Sequence, residues 1–281
     1  MSTSGGLPKA VERALQIEAQ AIQIFCGAPQ QWAEPKCPEH EVEGLRAGLA
    51  EHDLGPLFIH APYLINLASA KPQVRHLSRE SLATQLRWAD RLGAQGVIVH
   101  VGSPGASASP EQVDGALDLI VTSIGRIMTE HQGDAAIILE NDAGAGARIG
   151  KTFGQLGAIV RALSSESRLK LCFDTCHALV SGYEIRTPEG LEGTIAELDR
   201  EVGIDRLCVI HANDAKAELG TNKDRHENIG EGTIGIATFR RMLSHRALRD
   251  LPFILEVPGY KEEGPDLENV RALKGAAPLA V

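Results

Sequence analysis

What most constrains this chain is a repeated alternation of element types. Short runs rich in β-branched residues fall at 21–25, 56–60, 96–100, 136–140, 169–174, 207–211 and 252–256, with amphipathic stretches between them. Near-continuous apolar runs separated by helical patterns mark buried parallel strands joined by crossover helices. Leu82, Leu86, Ala89 and Leu92 keep helical spacing, as do Val113, Leu117, Ile120 and Ile124. No linker or composition break interrupts the 281 residues, so the expectation is one domain, 1–281, folded as a TIM (β/α)8-type barrel of parallel strands. Seven strands can be counted where a closed barrel needs eight. The chain opens on Ser4, Gly5 and Gly6 and then a helix carrying Val11, Leu15 and Ala19, as though it began in the loop after a first strand. A missing first strand, through a clipped start, is therefore expected.

Composition excludes several classes. A hydrophobic content of 43% supports a core, 23% charged residues argue against disorder, and no apolar run is long enough to span a membrane. The five cysteines form no CxxC pair and the N-terminus lacks a secretion signal, which points to a reduced, cytoplasmic chain. Cys176 is expected as a small buried thiol rather than a ligand. With 28 Lys+Arg against 37 Asp+Glu the formal charge is -9, which at first argues against nucleic acid, because phosphate contacts normally need excess cations.

The ends of the last six runs change that. They are His60, His100, Glu140, Asp174, His211 and Glu256, spaced by 40, 40, 34, 37 and 45 residues. In a parallel barrel the C-terminal strand ends converge on one face, which carries the site. Carboxylates packed this closely repel one another and take up protons unless cations share the space. His177 follows Asp174 by three residues, and Asp224 and His226 are spaced to project the same way from an extended loop. One histidine at a strand end is ordinarily a hydrogen-bonded rim residue, but five of the ten histidines fall at such ends or beside acidic loop partners. Mixed imidazole and carboxylate ligands suit Zn2+, with Mn2+ acceptable in part. Nine ligands exceed the need of two tetrahedral ions, so a cluster of three is expected.

The segments LCFDTCHALVSGY (171–183), HANDAK (211–216), DRHENIGEG (224–232), HAPYLINL (60–67) and ILEVPG (254–259) carry a specific resemblance. The chain is similar, over nearly its whole length, to the endonuclease IV family of apurinic/apyrimidinic endonucleases. The resemblance implies three zinc ions. His60 and His100 hold one, and Glu140 bridges it to a second completed by Asp174, His211 and Glu256. His177, Asp224 and His226 hold the third. It further implies duplex DNA as substrate, cut 5' to an abasic site to leave a 3'-hydroxyl and a 5'-deoxyribose phosphate, together with removal of blocking groups from 3' ends. The expected chemistry is attack on phosphorus by a hydroxide bridging two ions, with Glu140 and Glu256 as the catalytic carboxylates and the third ion neutralising the departing 3' oxygen.

Recognition residues are fewer. Tyr63 matches a family position that intrudes into the DNA, and Arg225, between two ligands, is placed for a phosphate contact. Gln30 stands where family members commonly carry a basic residue, so one DNA contact differs here, and Trp32 is expected as a structural plug. Lys71, Arg75, His76 and Arg79 could line the DNA backbone, although such charges on a helix are usually a solvated face. Lys216, Lys223 and Arg148 are weighed in the same way, and the segment from Lys274 is an uninformative tail. A monomer without membrane contact is expected. The alternatives are a metal-dependent sugar isomerase or epimerase of the same barrel type, for which His177, Asp224 and His226 are surplus, and a non-catalytic, metal-bound, DNA-binding barrel.

Overall fold

Each apolar run supplies a strand, and every residue of the first four strands is buried, which is why those runs do not alternate. The computed structural model describes residues 1–278. Positions 279–281 of the C-terminal tail lie outside the described residues. Lys274 belongs to the last helix instead of opening a tail. The chain divides into two compact units that interleave along the sequence. The first takes Met1–Glu140, Gly146–Ile149 and Ala158–Lys170; the second takes Asn141–Ala145, Gly150–Gly157 and the chain from Leu171 onward.

In the first unit the order is α1 (Lys9–Gln16), β1 (Ile22–Ile24), α2 (Glu39–Glu51), β2 (Leu57–His60), α3 (Pro72–Leu92), β3 (Gly96–Val99), α4 (Pro110–Glu130) and β4 (Ala136–Glu140). The four strands pair parallel in chain order, with Ile22 beside Leu57, Ile59 beside Val97 and Gly96 beside Ala136. Gly96 is required by that last contact, since a Cβ there would sit 2.4 Å from the Ala136 carbonyl oxygen. Helix α3 starts with Pro72 at its first position and stops at Gly93 in the left-handed region. It buries Leu82, Leu86, Ala89 and Leu92 as the spacing predicts. Ser109 and Gln112 form a capping box at the start of α4. That helix buries Ile120 and Ile124, whereas Val113 and Leu117 are half-buried.

One expectation is corrected, while the expected lack of a first strand agrees with the structure. Helix α1 turns Ala10, Val11 and Ala14 inward and leaves Leu15, off that face, 40% exposed, and it ends at Gln16, short of Ala19. Residues 1–3 form no strand; Thr3 Oγ1 donates to the Phe25 carbonyl oxygen and the Met1 amino group to that of Gln23. No eighth barrel strand is found among the described residues.

Helix α5 (Phe153–Ala162) and strand β5 (Leu169–Asp174) each run across the boundary between units. The second unit continues with α6 (Thr175–Ser181), α7 (Pro188–Glu201), β6 (Leu207–His211), β7 (Asp214–Ala215), β8 (His226–Glu227), α8 (Ile236–Ser244), β9 (Phe253–Ile254) and α9 (Leu267–Ala276). Strand β6 pairs parallel with β5 on one side and β9 on the other, while β7 and β8 form an antiparallel ribbon. Strand β9 is shorter than its apolar run because the Glu256 N–H donates to the Asn213 side chain instead of a ladder carbonyl. Among the described residues no helix is long and apolar enough to cross a membrane.

Candidate metal centre

In the first unit β2 ends on His60, β4 ends on Glu140, and His100 follows β3 by one residue. The Nε2 atoms of His60 and His100 lie 3.3 and 3.2 Å from the same oxygen, Oε2 of the fully buried Glu140. His60 Nδ1 donates to the Ala61 carbonyl oxygen at 2.8 Å. A carbonyl only accepts, so the proton of a neutral ring sits on Nδ1, and Nε2 turns a lone pair toward the carboxylate. Two acceptors facing each other at that distance repel, and a proton or a cation between them removes the conflict.

The second unit repeats the device twice. His177 Nδ1 donates to the Asn141 carbonyl oxygen and His226 Nδ1 to that of Glu256, each at 3.0 Å. Both Nε2 atoms face Asp224 Oδ1, at 3.3 and 3.2 Å. Burial works to raise the Asp224 carboxyl, but hydrogen bonds from His177 and His226 override it and hold it well below the usual carboxylate range. Burial likewise opposes protonation of His226, yet the bond to Asp224 and the charges of Asp174 and Glu256 raise it to about 9. Within the same unit His211 Nδ1 lies 3.1 Å from Glu256 Oε2 and 3.8 Å from Asp174 Oδ2. Imidazoles with ordered outer hydrogen bonds and inward lone pairs, converging with carboxylates, are a donor set that fits a divalent cation such as Zn2+. The candidate donor atoms of His60, His100 and Glu140 in the first unit, and of Asp174, His177 and His226 in the second, lie within 4.8 Å of one another.

Local structure explains how these side chains are held. Asp174 closes β5 and also caps α6, its Oδ1 accepting from the His177 N–H at 2.8 Å, so the i, i+3 spacing brings His177 over it. Asn141 clasps the Asp174 backbone with both ends of its amide, accepting from N–H at 2.7 Å and donating to the carbonyl at 3.0 Å. Asn213 donates Nδ2 to Asp174 Oδ2 at 2.6 Å and accepts the Glu256 N–H on Oδ1 at 2.8 Å. Buried Asp214 accepts from the N–H groups of Ala215, Gly230, Ile234 and Gly235, and so fixes the loop that follows His226. The ligand pattern does not reveal these three residues; their sequence signals are nearness to candidate ligands, Asn141 after Glu140 and Asn213–Asp214 two and three residues past His211, and, for the latter pair, a place in the HANDAK segment. Cys176 is fully buried beside Asp224 and His226. Burial and the nearby Asp174 push its thiol up to about 12, in keeping with a structural thiol.

The other candidates lie on the surface. Tyr63 is 63% exposed, with its ring edge-on to Phe25 and tilted against His60. Gln30 and Arg225 are exposed, and Arg225 folds Nη1 back to the Asp224 carbonyl oxygen. Trp32 is half-buried. Lys71, His76, Lys216 and Lys223 are exposed and Arg79 and Arg148 half-buried, while Arg75 is engaged with the Ser69 carbonyl oxygen and Lys216 lies 3.7 Å from Glu227.

Residues 11–276 match the family described as xylose isomerase-like TIM barrel. The chain is 35% identical over 274 residues to "Probable endonuclease 4" of Halothermothrix orenii, covering 98% of this chain and 97% of that protein. It is 36% identical to the protein of the same name in Haloarcula marismortui, with the same coverage. Among solved structures, endonuclease IV from Thermus thermophilus superposes with a TM-score of 0.83 at 33% identity, over 98% of this chain and 96% of that one. A D-tagatose 3-epimerase-like protein superposes with a TM-score of 0.76 over 98% and 95% of the chains, at 22% identity, a likeness of fold alone. With that barrel fold, and with full-length identity at this level, the chain belongs to the endonuclease IV family of TIM-barrel nucleases.

Proposed function

We propose that this protein is a zinc-dependent DNA-repair endonuclease that hydrolyses the phosphodiester 5' to an abasic site in duplex DNA and also clears blocked 3' ends. The observation that carries the reading is the tautomer lock on His60, His177 and His226, each anchored through Nδ1 to a backbone carbonyl and each turning Nε2 on a carboxylate. His60, His100 and Glu140 in the first unit, and Asp174, His177, His211, Asp224, His226 and Glu256 in the second, are the proposed holders of three zinc ions, with Mn2+ accepted in part. Such ions, when bound, supply hydroxide at neutral pH and absorb the negative charge of phosphoryl transfer.

The chain's own residues supply the rest. Glu140 and Glu256 are the proposed catalytic carboxylates; Glu256, only partly buried, can orient the attacking water as well as bind metal. Exposed Tyr63 can enter the gap left by a missing base, and an abasic nucleotide costs little to extrude because its stacking is already lost. Arg225 and Gln30 are the proposed backbone and groove contacts. The interleaving of the two units along the sequence supports a single domain, 1–281; a monomer in the cytoplasm is part of the same proposal.

The test is incubation with a duplex carrying one abasic site, with and without chelator. Clean 5' incision that chelation abolishes is expected. Intact DNA after exposure to metal-replete protein, together with turnover of a keto sugar, would establish the epimerase alternative instead.

A further inference from the structure

We propose that Asn213 is a positioning residue that sets the orientation of two metal ligands at once, Asp174 and Glu256. The inference rests on the proposed function for its catalytic consequence, but its structural basis is independent. Asn213 is fully buried, and both ends of its amide are used. Nδ2 donates to Asp174 Oδ2 at 2.6 Å, and Oδ1 accepts the Glu256 N–H at 2.8 Å. The residue is itself held by Thr175: the Asn213 N–H donates to Thr175 Oγ1 at 2.9 Å, and Thr175 Oγ1 donates to the Asn213 carbonyl oxygen at 2.7 Å. The amide therefore cannot turn over without breaking both outward bonds.

Asp174 depends on this arrangement. Its Oδ1 caps α6, and the Asn213 bond to Oδ2 holds the other end of the carboxylate, so the two bonds together set its rotation about its own axis. The N–H that Asn213 accepts is the one that would otherwise extend β9, so the same side chain ends that strand and sets the angle from which Glu256 leaves it. An aspartate of the same shape would preserve the acceptor for Glu256 but place oxygen against oxygen at Asp174.

Metal-loaded Asn213→Asp and Asn213→Ala are compared with the unaltered protein in three measurements: metal retention in a chelator competition, kcat and KM for incision, and thermal unfolding after metal removal. Removal of an outer partner of a metal ligand typically weakens metal affinity or activity by about 10–100-fold. Asn213→Asp is expected to lose metal retention and kcat by about that factor while KM stays within about threefold. Because the aspartate also buries a second carboxylate against Asp174, its metal-free unfolding temperature is expected to fall, so metal retention and kcat are read at a temperature where the variant is fully folded. Wild-type metal retention and kcat in Asn213→Asp would overturn the proposal, as would losses explained wholly by a lowered melting temperature. If the unaltered protein holds metal but leaves abasic DNA intact, the functional reading fails while loosened metal in Asn213→Asp still upholds the positioning role.

Discussion

Replacing Asp214 separates a loop-fixing carboxylate from a merely buried one. Its Oδ1 accepts the N–H groups of Ala215 at 2.8 Å and Ile234 at 2.9 Å; its Oδ2 accepts those of Gly230 at 2.9 Å and Gly235 at 3.2 Å. Asp214→Ala orphans all four donors, but they are not equal. Gly230 is exposed and Gly235 half-buried, so water can replace the lost oxygen there, whereas Ala215 and Ile234 are buried. Two buried donors left unpaired, at about 1–3 kcal/mol each, set the expected loss at roughly 2–6 kcal/mol. Asp214→Asn keeps a carbonyl oxygen for the two buried donors and puts its NH2 at the wetter end. Burial raises the pKa of the Asp214 carboxyl, so the neutral amide also avoids the cost of burying a charge. Its expected loss is about 1 kcal/mol, the net worth of an ordinary hydrogen bond. Urea unfolding at pH 7 measures both. Because the fixed loop follows His226, Asp214→Ala should also release metal faster on chelator challenge. An alanine variant within about 0.5 kcal/mol of the unaltered protein, the range of an ordinary surface substitution, refutes the reasoning. So does an asparagine variant less stable than alanine.

Three further outcomes are expected. Glu256→Gln should remove most incision while leaving abasic-duplex binding within a few-fold in a gel-shift assay, and undiminished cleavage would end its catalytic assignment. Tyr63→Ala should change stability by no more than about 0.5 kcal/mol, since the ring is largely exposed, yet weaken binding to an abasic duplex relative to an intact one; unchanged discrimination removes Tyr63 from recognition. In metal-free protein, His226 is raised from 6.5 to about 9, so it binds its proton more tightly folded than unfolded. Its stabilisation is complete below about pH 6.5 and lost as pH climbs through about 9. The melting temperature of the metal-free chain should fall across that window, more steeply than that of His226→Ala, and parallel slopes would show that the pair contributes nothing.

Six of the nine candidate ligands are legible because each closes an apolar run, and such runs reflect burial on both sides of a strand, whereas His177, Asp224 and His226 are marked only by their spacing from acidic neighbours. Legibility ended where structure depends on partners distant in sequence. Asn213 meets Asp174 across 39 residues and Glu256 across 43, and no periodicity records such pairs. The same bond explains why Glu256 stands beyond β9 instead of at its end. Helix α1 was misjudged for a different reason: at eight residues it ends before a third turn can confirm a stripe, so Val11, Leu15 and Ala19 matched a helix that does not reach Ala19.

The formal charge of -9 posed the hardest conflict with a DNA substrate, and the geometry shows why a residue count misjudges it. Glu140 and Asp174 have fully buried side chains, each facing imidazoles, so neither presents a bare carboxylate to solvent. Under the proposed function these acids and their neighbours are where divalent cations sit, and the ions would offset much of the chain's charge at the place where phosphate must approach. The three carbonyl anchors reinforce this. Because the Ala61, Asn141 and Glu256 carbonyls hold the histidines through the backbone, no further carboxylate outside the candidate ligand set is needed to orient the rings, and a bound cation would take the place of the proton that His226 otherwise carries. Under the proposed function, phosphate would thus meet bound cations and not bare carboxylates, and the formal charge of the chain would not decide its affinity for DNA.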